Sequence, residues 1–107
     1  MIFQQTAVRP DFPLVAASTH SRAEIERAGK LKLNFVVLGA VRETLSHADQ
    51  APLGWQGFRA LVNTAPLPVF AIGGMRESDR NDAIEHGAHG IAVQRGFSSL
   101  HMQAPLA

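Results

Sequence analysis

The sequence predicts an α/β domain of the βαβαβαβ type, built on a mostly parallel sheet. Four short apolar runs recur along the chain, at residues 13–18 (PLVAAS), 34–38 (NFVVL), 69–72 (VFAI) and 90–93 (GIAV). Runs this short and this continuously apolar suit strands covered on both faces. Segments with helical spacing or helix-start residues separate them, and all connections but one are short. Such alternation requires right-handed crossovers and parallel pairing.

Taken in order, residues 1–12 show no period and end near Pro10 and Pro13, which reads as an arm or linker ahead of a domain over residues 13–107. Ile2-Phe3 is strand-like and could pair with something. After the first apolar run, Ser21 followed by Glu24 forms a capping-box pattern that opens a helix over 22–32. The second run is ended by Gly39. Residues 40–54 make a connection longer than the roughly 2–6 residues usual between strand and helix. Trp55, Phe58, Leu61, Val62 and Ala65 then recur at helical spacing, and Pro66 and Pro68 stop that helix. The third run leads directly into Gly73-Gly74. Ser78 is placed to cap a helix reaching about His86, with Gly87 as its C′ residue. Residues 97–102 suggest a short closing helix.

Composition bounds the function. At 107 residues the chain holds one small domain. Ten basic and nine acidic residues leave a formal charge of +1, scattered rather than clustered, which offers no footprint for nucleic acid or an anionic membrane. Zero cysteines exclude a disulfide framework, a zinc-thiolate site and a thiol nucleophile. No apolar run is long enough to span a bilayer, and no signal-peptide pattern follows Met1. The expected setting is the cytoplasm.

In parallel α/β folds the working groups lie beyond the C-terminal ends of the strands. Here those places carry Ser18 to Ser21, Gly39 to His47, Gly73 to Met75 and Gln94 to Gly96. Two glycines after a buried strand allow either a tight turn or a close approach of N–H groups to an anion, aided by the following helix start. Phosphate sites of (β/α)8 barrels are frequently built by the loops after strands seven and eight. If the last two runs are that pair, Gly73-Gly74 faces Gln94, Arg95 and Gly96, and Arg95 could add a guanidinium; it could equally be a solvated surface residue. His20 sits where an acid/base would be presented, although a helix-capping histidine fits the residues better. Thr44, Ser46 and His47 suit a carboxylate, phosphate or heterocycle, as they would suit an ordinary exposed loop. No metal site is expected: His86 and His89 straddle Gly87, and no paired carboxylates lie near a strand end.

Four stretches together resemble the thiamine phosphate synthase and thiazole tautomerase family. They are Ala16-Ala17-Ser18-Thr19-His20-Ser21, Asn34-Phe35-Val36-Val37-Leu38-Gly39-Ala40, Leu67-Pro68-Val69-Phe70-Ala71-Ile72-Gly73-Gly74-Met75 and Gly87-Ala88-His89-Gly90-Ile91-Ala92-Val93. The family reads G-x-S-x-H-S, A-D-Y-V-x-x-G-P, [IL]-P-V-x-A-I-G-G-[IM] and G-A-x-G-[IV]-A-V in that order. The resemblance is closest to synthase-like domains fused behind Nudix hydrolase domains, which share the Thr44 to His47, Pro52 to Trp55 and Gly87 to Gly90 patterns. It implies that the strands are the fifth to eighth of a (β/α)8 TIM barrel. It also implies that Gly74 and the Val93 to Arg95 turn hold a thiazole phosphate, and that Thr44, Ser46 and Ser18 contact substrate. His20 matches the tautomerase acid/base. Departures are His47 for a lysine, Arg95 for a serine and Ala40 for a proline.

The resemblance places the pyrimidine-pyrophosphate and magnesium residues on the first four strands, which this chain lacks, so magnesium is expected only with a complete barrel. Four strands with helices on one side would leave an apolar face and open edges exposed. A homodimer, or a place in a longer Nudix-fused chain, is therefore expected. Three functions compete: binding of a phosphorylated thiazole or related ester, tautomerase chemistry through His20, and a non-catalytic oligomerisation or regulatory module.

Overall fold

The computed structural model describes residues 2–3, 14–43, 51–95 and 99–103, with side chains within 14–43 and 51–93. One six-stranded sheet runs in chain order: β1 (Ile2–Phe3), β2 (Ala16–Thr19), β3 (Phe35–Leu38), β4 (Val69–Ala71), β5 (Gly90–Arg95) and β6 (Ser99–Gln103). The first five strands are parallel, and β6 returns antiparallel along β5. Helices α1 (Arg22–Lys30), α2 (Gly54–Val62) and α3 (Arg80–Glu85) form the crossovers, α3 being preceded by a 3-10 turn at Glu77–Asp79. The α/β fold with its parallel sheet is thus as the sequence predicts. Among the described residues no helix is long and apolar enough to cross a membrane.

Strand side chains alternate between two faces, as a period of two dictates. Ala17, Val36, Leu38, Val69, Ala71 and Ile91 pack with Ile25 and Ala28 of α1, Phe58 of α2 and Ala83 of α3. Phe58 is the largest fully buried side chain and fixes α2 on the sheet. The opposite face holds Val37, Phe70 and Ala92, with Phe35 and Ile72 against them; the Phe35 and Phe70 rings meet edge-on at 5.2 Å. Continuous apolar runs arise because both faces are covered.

The N-terminus of α1 is closed by reciprocal bonds. Glu24 N donates to Ser21 Oγ (3.3 Å), while Glu24 Oε1 accepts from His20 N (2.8 Å). The first bond satisfies a helix-start donor that would otherwise lack a partner, and the second ties down the residue before the cap. The helix is two residues shorter than predicted, because Lys32 adopts a left-handed φ of 58° that brings Leu33 into the core. Helix α2 likewise stops at Val62, three residues early. Its C-terminal end is held instead by Arg22, whose guanidinium donates to Thr64 Oγ1 and to Ala60 O (3.1 Å). A cation there also suits the helix dipole.

Several expectations are corrected. The closing helix over 97–102 is replaced by β6. Leu100 and Met102 alternate with polar neighbours at period two, and the free edge of β5 supplies five pairings that so short a helix could not match. The strand predicted at 90–93 accordingly extends to Arg95. The first buried strand lies at 16–19 rather than 13–18, leaving Leu14 exposed. Ser78 does not cap a helix but lies inside the 3-10 turn. Ile2-Phe3 does pair, in parallel with β2. The inner face is not uncovered either: Val37, Phe70 and Ala92 are only 1%, 7% and 1% exposed within the single chain. What remains of the case for self-association is the pair of outer strands, β1 and β6.

Glycines provide a test of this packing. A Cβ at Gly29 would fall 2.4 Å from Pro66 Cγ, and one at Gly39 would fall 2.3 Å from the Ile72 carbonyl oxygen. At Gly57, inside α2, it would meet Leu53 Cβ at an ordinary 3.6 Å. Chemical denaturation should therefore show Gly57→Ala stabilised by up to about 1 kcal/mol. Gly29→Ala and Gly39→Ala should each lose roughly 1–3 kcal/mol through overpacking.

Candidate functional site

The C-terminal ends of β3, β4 and β5 converge on the Gly73-Gly74 turn. Gly73 and Gly74 have φ of +99° and +68°, a region that glycine enters without a Cβ penalty. Each also faces the segment leaving β3. A Cβ on Gly73 would lie 2.6 Å from both Ala40 Cα and Ala40 Cβ, and one on Gly74 would lie 2.9 Å from Arg42 Cβ. The β3–β4 ladder continues past the strand ends: Ile72 N donates to Leu38 O (3.0 Å), Val41 N to Ile72 O (2.9 Å) and Arg42 N to Gly73 O (3.1 Å). The glycines therefore have a packing role independent of any ligand. Among the described residues, the N–H groups of Gly73, Gly74 and Met75 donate to no backbone partner.

Beside the turn lies an open polar concavity of about 650 Å³, lined by Arg42, Glu43, Gly74, Met75, Arg76 and Asp79, among others. Asp79 is buried, at 7% exposure, and its Oδ2 accepts from Arg42 Nη1 (2.7 Å) and Arg76 N (2.8 Å). The Arg42 hydrogen bond, then the Arg76 N–H and both guanidinium charges, hold the Asp79 carboxyl below its usual range against the opposing effect of burial. The Arg42 guanidinium is raised in turn, chiefly by the same bond.

The sequence-derived candidates divide by placement. The β4–β5 pairing runs through Phe70↔Gly90 and Ala71↔Ile91, so the glycine turn leaves β4 two residues beyond the last of these pairs. Gln94 and Arg95 belong to β5, paired with Leu100 and Ser99, rather than to a turn. Gly96 lies outside the described residues, as do Thr44, Ser46 and His47. Ser18 pairs with Val37 in register and is half-buried; because Ala17 faces the helices, Ser18 faces the opposite side of the sheet. Two strand spacings separate β2 from β4, roughly 10 Å. His20 is exposed just beyond β2, its backbone N bonded to Glu24 and its Nδ1 3.5 Å from the same carboxylate. The cap of α1 is Ser21, one residue later, so His20 pairs with Glu24 without itself capping the helix. His86 stacks on Trp55 at 5.2 Å with its Nδ1 2.6 Å from Asp82 O, and His89 lies edge-on to Phe70.

No three His, Asp or Glu side chains converge on a common point among the described residues. The buried carboxylate of the site is already engaged by Arg42 and Arg76, so these residues do not fit a magnesium centre. Sequence reasoning missed Arg42 and Asp79. No local pattern singles out Asp79, and nothing local in Arg42 announces a partner 37 positions away. Because the folded Asp79 titrates below its unfolded value of about 3.8, its stabilisation is present above that pH. It is lost as pH falls through the lower folded value. Asp79→Asn should thus lower the melting temperature at pH 7, and thermal melts should bring variant and parent progressively together as the pH falls below 3.8.

Comparison with known proteins gives these features a lineage. The family model described as thiamine monophosphate synthase matches residues 4–97. The thiamine-phosphate synthase of Pyrococcus furiosus is 31% identical over 80 residues, covering 75% of this chain and 39% of that protein. The enzyme of the same name from Chloroflexus aurantiacus is 32% identical, covering 75% and 38%. The putative thiamine-phosphate synthase 2 of Aquifex aeolicus is 31% identical, covering 79% and 45%. A solved structure of thiamine phosphate pyrophosphorylase from Pyrococcus furiosus superposes with a TM-score of 0.63 at 31% identity, covering 75% of this chain and 38% of that one. The chain thus spans about two fifths of the length of these relatives. With the glycine turn, the parallel sheet and the motif order all inside the matched span, the chain belongs to the thiamine monophosphate synthase family.

Proposed function

We propose that this chain provides the phosphate-holding part of a thiamine-phosphate-synthase-like site, taking a phosphorylated thiazole or a related phosphate ester. The observation that carries the reading is the Gly73-Gly74 turn. Two positive-φ glycines at a strand exit leave backbone N–H groups without described partners beside a polar concavity. Backbone donors arranged in that way suit a phosphate group. In this reading Gly73 and Gly74 cradle the phosphate, and Gln94, Arg95 and Gly96 close its other side. Arg95 contributes charge where the family has a serine. Ser18, Thr44, Ser46 and His47 are assigned to the remainder of the ligand by their correspondence with the family's substrate-contacting positions.

This reading gives His20 no acid–base role: it is exposed beyond β2, two strands from the glycine turn on β4. Pyrimidine-pyrophosphate and magnesium binding are assigned to parts of the family fold beyond this span. Synthesis of thiamine phosphate is accordingly not proposed for the chain alone.

Isothermal titration calorimetry against a phosphorylated thiazole and its unphosphorylated alcohol tests the reading. The phosphate ester should bind and the alcohol should not, and Arg95→Ala should weaken the ester about tenfold or more, as expected for loss of a charge-assisted hydrogen bond. Equal affinity for ester and alcohol, or no binding of either, would sink it. In a turnover assay with pyrimidine pyrophosphate and magnesium, the isolated chain should form no thiamine phosphate.

A further inference from the structure

We infer that Arg42 and Asp79 are positioning residues that hold the Gly73-Gly74 turn in its anion-binding shape; the inference rests on the phosphate reading above. A single residue grips both ends of the turn. Through its backbone N–H, Arg42 bonds the carbonyl oxygen of Gly73 at the entry (3.1 Å). Through Nη1 it bonds Asp79 Oδ2 at the exit (2.7 Å), six residues later. The same Oδ2 accepts from Arg76 N (2.8 Å), so the intervening backbone is tied at a third point. Glycines lose more conformational freedom on ordering than any other residue, so a turn containing two of them needs external restraint to stay in one shape. Ordering it in advance removes a cost that ligand binding would otherwise bear.

Charge separates this role from direct attraction of the ligand. Asp79→Asn removes a negative charge next to the concavity while retaining an acceptor for Arg76 N–H. If Arg42 acted only as a positive charge, losing the Asp79 carboxylate would tighten binding of an anion. If the pair acts by positioning, the same substitution weakens it.

The experiment measures the affinity of the intact chain for phosphorylated thiazole and for inorganic phosphate, together with amide hydrogen exchange. Arg42→Gln and Asp79→Asn should each weaken both ligands about threefold to tenfold, the range for a half-exposed charged pair. Arg42→Lys should recover part of the loss. Exchange should accelerate at the amides of residue 42 and Arg76 while the sheet amides stay protected. Tighter binding in Asp79→Asn, unchanged affinities, or faster exchange throughout the sheet would each overturn the inference. If the parent chain binds neither ligand, the phosphate reading falls by itself. Exchange at residues 42 and 76 then decides whether the pair holds the turn: localised acceleration supports it, and unchanged protection overturns it.

Discussion

The exits of β3 and β4 run so close together that there is no room for a Cβ on either side. Gly39 meets the Ile72 carbonyl, Gly73 meets Ala40, and Gly74 meets Arg42. Three glycines at this junction let the ladder between the two strands persist beyond their regular ends. Everything distinctive about the site follows from that approach. It sets the course of the turn, whose N–H groups donate to no described backbone partner, and brings Arg42 within reach of Asp79. Loss of side chains at these positions costs backbone entropy, which the continued hydrogen bonding and the Arg42–Asp79 pair offset.

The sheet was legible in the sequence because its determinants are local. Val36-Val37-Leu38 and Val69-Phe70-Ala71 are apolar at every position since one set of side chains meets the helices and the alternate set meets Phe35, Phe70 and Ile72. The cap of α1 was legible for the same reason, Ser21 and Glu24 being three residues apart. Elements decided by partners elsewhere were not. Residues 99–103 became a strand because β5 has a free edge, and nothing within the segment distinguishes that outcome from a helical turn strongly enough. The early end of α2 depends on Arg22, a residue on another helix. Tertiary context overrides local preference at such places.

The same division applies to the site. Gly73-Gly74 could be found because a glycine pair after a buried strand has few explanations. Its two explanations, a tight packing requirement and a ligand cradle, turn out not to compete: the missing Cβ atoms face Ala40 and Arg42, whereas it is the N–H groups that stay without described backbone partners. His20 could be weighed because it follows a strand end, and its contacts are with Glu24, while the cap is its neighbour Ser21. Arg42 and Asp79 could not be paired from sequence, since their proximity depends on the register of β3 against β4.

A chain matching about two fifths of its relatives raises the question of what makes this portion coherent. Covering both faces of the sheet is the physical answer. A second sheet face would be an apolar liability if left bare, yet Val37, Phe70 and Ala92 are buried within the chain itself. Strand β6 adds to this by taking the outer edge of β5, turning backbone groups that a parallel neighbour could pair into an antiparallel ladder of five residues. The consequence reaches the site. Because Gln94 and Arg95 are drawn into that ladder rather than left in a loop, the end of β5 is an ordered, hydrogen-bonded strand rather than a turn.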